Sequence, residues 1–157
     1  MLKKKTHKGK KADIPDLMRS KIENELNIKP LKEFGKNYAE YYHDGKGALQ
    51  KLLIEKQGQV AGAFHRKDLG DIDLVWGEVR TSSSEVKGYG LSKIIEKHKE
   101  INADILNDVI TNGTVQQRQN EAIQIVKDNY KIILKSNWNG NKTKNKWIVT
   151  AYEINKR

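Results

Sequence analysis

Histidine takes and gives protons near neutrality, its ordinary pKa being about 6.5, and this chain holds four histidines and no cysteine. His65 precedes Arg66 in an alternating segment, and His98 falls within the stripe Leu91, Ile94, Ile95. Either can serve as a general acid or base. The ordinary alternatives are a solvent-facing strand imidazole for His65 and a core histidine bonded to a carbonyl for His98. Asp71 and Asp73, two apart, share one face of a strand; there they orient neighbouring cations or, with Glu78 and Lys87, hold Mg²⁺. Thr150 and Tyr152 have the same spacing, which points a hydroxyl and a stacking ring the same way. Lys87 and Lys93 flank Gly88-Tyr89-Gly90 as point charges for a phosphate, or are ordinary solvated lysines. Tyr89, Ser92 and Trp138 are further candidates for holding a substrate. Trp76 and Trp147 are assigned to the core.

These residues need elements to place them. Pro15 with Ile14, Leu17, Met18, Ile22 and Leu26 predicts an amphipathic helix running to about Asn27, ended by Pro30. Asp44-Gly45 marks a turn before a second helix, from Ala48 to about Gln57, that Gly58 stops. Val60–Arg66 and Ile72–Trp76 read as a hairpin, and Thr81-Ser82-Ser83-Ser84 as a loop. Two helices follow, one carrying Leu91 and Ile94, the other Ala103, Leu106, Val109 and Ile110. The remainder reads as strands at Thr114–Arg118, Ala122–Val126, Tyr130–Lys135 and Lys146–Ile154, with a loop over Asn137–Lys144. The order predicts an α+β fold: N-terminal helices on a four- to five-stranded antiparallel sheet, with a helical pair between the first hairpin and the C-terminal strands.

Strand period two sorts side chains onto faces. The rows Val60/Gly62/Phe64, Ile72/Leu74/Trp76 and Trp147/Val149/Ala151 are expected to pack on the helices. The opposite face then carries Ala61, Ala63, His65, Asp71, Asp73, Thr150 and Tyr152. It reads as a substrate face or as the merely solvated side of a half-buried sheet.

The 157 residues suit one domain, expected over 13–157, behind a basic arm at 1–12 whose six lysines meet no acid. Thirty Lys+Arg against twenty Asp+Glu give a net charge of +10, which points to a polyanionic partner. Zero cysteine excludes disulfides, thiolate zinc sites and cysteine nucleophiles. No apolar run is long enough to span a bilayer or to form a signal core, and no helix joins a cationic face to a bulky aromatic one, so a membrane partner is not expected.

Five blocks occur in one order: Phe34–Glu40, Lys56–Phe64, Gly70–Gly77, Gly88–His98 and Trp147–Glu153. They resemble the phage and mobile-element nuclease domains of the barnase, EndoU, colicin and RelE ribonuclease superfamily, over roughly Phe34 to the C-terminus. The resemblance implies a toxin-like, metal-independent endoribonuclease that needs no cofactor. It implies RNA, with tRNA among the targets, as partner, an immunity or antitoxin protein as a second, and a monomeric domain often carried in a larger multidomain protein. The site of action implied is the cytoplasm, with delivery in a secreted or phage-encoded protein. Relatives with a histidine two residues after Gly-Leu would place it at Lys93, so that base is missing here. Thr150-Ala151-Tyr152 resembles the Thr-x-Tyr of the EndoU branch. Metal-free RNA cleavage needs a base for the 2′-hydroxyl, an acid for the leaving 5′-oxygen and positive charge on the phosphorane. His65 or His98 is expected as base or acid, Arg66, Lys87 and Lys93 as cations, Thr150 and Tyr152 as substrate-holding groups, and Asp71 and Asp73 as supports. Two alternatives stand: a basic RNA- or DNA-binding module that does not cut, and a Mg²⁺-dependent nuclease using Asp71 and Asp73.

Overall fold

The computed structural model describes residues 14–83, 85–117 and 122–154; the basic arm, Ser84 and Arg118 lie outside the described residues. The helices are α1 (Asp16–Glu25), α2 (Gly45–Glu55), α3 (Gly90–Lys97) and α4 (Ala103–Asn112). The strands are β1 (Gln59–Arg66), β2 (Gly70–Val75), β3 (Glu78–Ser82), β4 (Glu85–Tyr89), β5 (Thr114–Gln117), β6 (Ile123–Lys127), β7 (Tyr130–Trp138) and β8 (Asn141–Glu153). The α+β expectation holds, in a larger sheet. Six strands run in the order β1-β2-β8-β7-β6-β5, and β3 and β4 form a hairpin of their own. The β2–β8 pair is parallel, so the sheet is mixed.

The apolar layer lies where helical stripes meet strand rows. Leu49 and Leu52 of α2, Leu91 and Ile94 of α3 and Leu106, Val109 and Ile110 of α4 pack with Ile72, Leu74, Ile125, Ile132, Leu134, Ile148 and Ala151. Asp44 starts α2 by accepting the Gly47 N–H, and Lys56 ends it in the left-handed conformation. Helix α1 departs from its predicted role. Leu17 and Met18 are exposed and Arg19 is its buried residue, paired with Asp16 and Glu40 and lying over the Tyr38 ring. Periodicity gave the helix but not the face it buries, because a buried guanidinium between two carboxylates replaces apolar contact here.

Two bulges revise the facial sorting. Between the pairs Val60↔Leu74 and Phe64↔Ile72, β1 advances four residues and β2 only two. Ala63 therefore joins Val60 and Phe64 in the core instead of facing away. In β8, Thr150 pairs with Ile133 and Ile148 with Leu134, so Val149 is extra. Trp147 and Val149 consequently lie with Phe34, Val75, Tyr89 and Trp138 in a second apolar cluster, while Ile148 and Ala151 enter the main core. The expected loop at 137–144 is instead strand on both sides of Asn139-Gly140. Both turn residues have positive φ, as a two-residue hairpin turn requires.

Candidate active site

The 3₁₀ segments Lys32–Phe34 and Ala39–Tyr41 lie against the start of β1. The buried Gln59 side chain holds the Leu31 and Gly35 carbonyls, and the Asn37 carboxamide oxygen accepts the Ala61 N–H at 2.8 Å. The backbone N–H of His43 then donates to the Gly62 carbonyl at 2.8 Å. These bonds bring Tyr42 and His43 alongside the β1–β2 hairpin. His43 itself has φ of 60°, and its ring stacks on Tyr42 with centroids 3.8 Å apart.

Asp71, opposite His65 in the hairpin register, is the centre of the cluster. Its Oδ1 accepts from His65 Nδ1 at 2.7 Å and from His43 Nε2 at 2.8 Å, while Tyr42 donates its hydroxyl to Oδ2 at 2.9 Å. Partial burial pushes the Asp71 carboxyl up. The hydrogen bonds from His65, His43 and Tyr42 outweigh that, and its pKa lies below the usual range. Burial and the bond to Asp71 push the Tyr42 phenol up, so it stays a donor. An ionised carboxylate only accepts, so both facing imidazole nitrogens carry protons. His43 Nδ1 and His65 Nε2 are left to exchange protons with a substrate. The rings are 5.1 Å apart and their side chains 40% and 52% exposed, open enough for a large substrate.

Asp73 plays a different part. It is 3% exposed, and its Oδ1 accepts from the Gly62 N–H at 2.7 Å and from Asn145 Nδ2 at 3.0 Å. Burial raises its pKa to about 6. With these bonds it fastens the β1 bulge to β8, and it does not share an open cation site with Asp71.

The remaining sequence candidates scatter. Arg66 donates to the Ile110 carbonyl at 2.7 Å and makes a two-pronged ion pair with Asp68, anchoring the hairpin to α4 rather than facing the imidazoles. The His98 ring meets that of Tyr152 at 5.8 Å, and Lys131 lies over the same Tyr152 ring. Because Ile72 pairs with Lys146, Thr150 and Tyr152 lie five to seven residues beyond the level of Asp71, roughly 15–25 Å along the sheet. One pocket joining His65 to Thr150 and Tyr152 is therefore not what the structure holds. Tyr89 and Trp138 pack edge-on in the second apolar cluster. Ser92 lines a cleft of about 810 Å³ with Phe34, Trp76 and Tyr89, and burial pushes the Tyr89 phenol up. Glu33, Glu78 and Glu96 against Lys56 make that cleft a poor match for a polyanion. Lys87 is exposed beside Glu85, and burial and Lys97 lower the Lys93 pKa.

The family model described as "phage-Barnase-EndoU-ColicinE5/D-RelE like nuclease" matches residues 63–157, from the β1 bulge through β8. The chain belongs to this phage nuclease family. No curated protein and no solved structure matches it. In this phage nuclease, His65 and Asp71 fall inside the matched span, whereas Tyr42 and His43 precede it. His43 was the residue that sequence reasoning missed. It belongs to no periodic segment, and its one signal is Tyr42-His43-Asp44-Gly45, an aromatic and an imidazole entering a turn.

Proposed function

We propose that this nuclease is a metal-independent endoribonuclease in which His43 and His65 form the acid–base pair. The observation that carries the reading is that Asp71 Oδ1 accepts from both imidazoles, at 2.8 and 2.7 Å. A carboxylate that receives N–H from an imidazole fixes its tautomer and stabilises its protonated form, as the aspartate of a Ser-His-Asp triad does. Here one carboxylate serves two rings. One ring takes the proton of the ribose 2′-hydroxyl as that oxygen attacks phosphorus. The other, protonated, delivers its proton to the departing 5′-oxygen, leaving a 2′,3′-cyclic phosphate and a 5′-hydroxyl. The imidazolium supplies positive charge at the phosphorane, and Lys144, whose charge reaches Asp73, adds to the local field. RNA, with tRNA among its forms, is the partner, and the cytoplasm is where the enzyme meets it.

The Mg²⁺ alternative would need Asp71 and Asp73 together. Asp73 is buried and engaged by Gly62 and Asn145, so the two carboxylates do not open onto one site. The test is incubation of purified protein with tRNA and a single-stranded RNA in excess EDTA, with analysis of the new ends. Cyclic phosphate ends in EDTA, absent with 2′-deoxy substrate, are expected. Cleavage abolished by EDTA, or equal cleavage of DNA, would overturn the mechanism, and tight binding without cleavage would favour a binding module.

A further inference from the structure

The same two imidazoles and carboxylate carry a second chemistry. One ligand atom from each of His43, His65 and Asp71 lies within 4.8 Å of the other two. They come from three separate segments, and each is held by the fold. His43 is fixed by its backbone bond to Gly62 and its stacking on Tyr42, His65 by the hairpin register, and Asp71 by the Tyr42 hydroxyl, which occupies Oδ2 and leaves Oδ1 facing the rings. Two imidazole nitrogens and one carboxylate oxygen suit a borderline ion such as Zn²⁺, with water as fourth ligand. They do not suit Mg²⁺, which favours an octahedral set of oxygens.

We propose that His43, His65 and Asp71 form a three-ligand site for Zn²⁺ whose occupancy switches the nuclease off. Binding requires lone pairs on His43 Nε2 and His65 Nδ1, so in each neutral ring the proton moves to the outward nitrogen. Two neutral rings lose no proton in this way, and a ring protonated as the acid releases one to solvent; in either case the two atoms that exchange protons with RNA become N–H groups and neither can act as base. The binding stands on geometry alone; only its effect on cleavage rests on the proposed function.

The experiment is calorimetric titration and thermal unfolding of the whole chain with ZnCl₂ or MgCl₂ at fixed pH. One Zn²⁺ per chain and a raised Tm reversed by EDTA are expected, with no response to Mg²⁺. His43→Ala and His65→Ala each lose at least the roughly 10–100-fold in affinity that even changes around a ligand cost, and His98→Gln retains binding. Circular dichroism without metal checks the variants' folding, and the visible spectrum of the Co²⁺-loaded wild type reads the donor set independently. Absence of a Zn²⁺-dependent Tm shift in the wild type, or unchanged binding in the doubly substituted His43→Ala/His65→Ala chain, overturns the site. Cleavage in EDTA that stops with Zn²⁺ supports the switch. Cleavage in EDTA without Zn²⁺ binding removes the site and leaves the nuclease mechanism standing. Zn²⁺ binding with cleavage only in its presence keeps the site and overturns both the switch and the metal-free chemistry.

Discussion

His65 and Asp71 were legible because strand alternation and the register of a short hairpin are local properties. His43 was not, since its place depends on the backbone path of residues 31–43 against β1. The pairing nevertheless makes both rings equally testable. Substituting His43→Ala or His65→Ala should lower single-turnover cleavage by about 10²–10⁴-fold, the usual contribution of a positioned acid or base, while the exposed side chains leave Tm nearly unchanged. The double variant should fall well short of the product of the two losses, because the pair acts as a unit. Asp73 gives a second prediction with a definite sign. Its folded pKa of about 6 exceeds the unfolded value near 4, so the folded state holds the proton more tightly and stability falls as pH rises from about 4 to 6. Asp73→Asn keeps an acceptor for Gly62 and Asn145 and should flatten that slope, gaining up to roughly 3 kcal/mol above pH 6. The lowered Asp71 pKa acts oppositely, its contribution being lost as pH falls. Denaturant midpoints of both proteins across pH 4–7 provide the measurement.

At the scale of elements, helix and strand identities followed from periodicity and turn residues, whereas the bulges did not. The two extra residues of β1 keep Val60 and Phe64 in phase and the single extra residue of β8 shifts it, and in both strands the alternation on either side stays intact, so nothing in the pattern announces either bulge. The β3–β4 hairpin was hidden for a different reason. Its turn lies in the Ser-rich run and most of its strand residues are exposed, which removes the apolar alternation. The β1 bulge is the device that builds the site. Gly62 there has φ of +67°, and a Cβ on it would stand 2.5 Å from the Tyr42 ring and 3.2 Å from Asp71 Oδ2. Gly62→Ala should therefore cost more than about 1 kcal/mol in stability. It should also cut cleavage further than the loss of folded protein explains, through displacement of Tyr42 and Asp71. Chemical denaturation with an activity assay on the folded fraction separates the two effects.

Across the whole molecule, the net charge of +10 was the most legible property, and it belongs to encounter rather than to chemistry. Raising salt from about 50 to 200 mM should lower kcat/KM on RNA by about tenfold or more, mostly through KM; an unchanged KM would show that the excess lysines do not face the substrate. The parallel β2–β8 pairing was less visible, because a composition of hairpins suggests antiparallel neighbours throughout. It places the strand at 141–153 between β2 and β7, and gives Asp73 its Asn145 partner. On a ribosome, then, both imidazoles emerge long before the middle of the sheet can close. A polypeptide interrupted ahead of residue 141 has β1 and β2 without the strand that seats Asn145 against Asp73, and is expected to lack nuclease activity until that strand has been made.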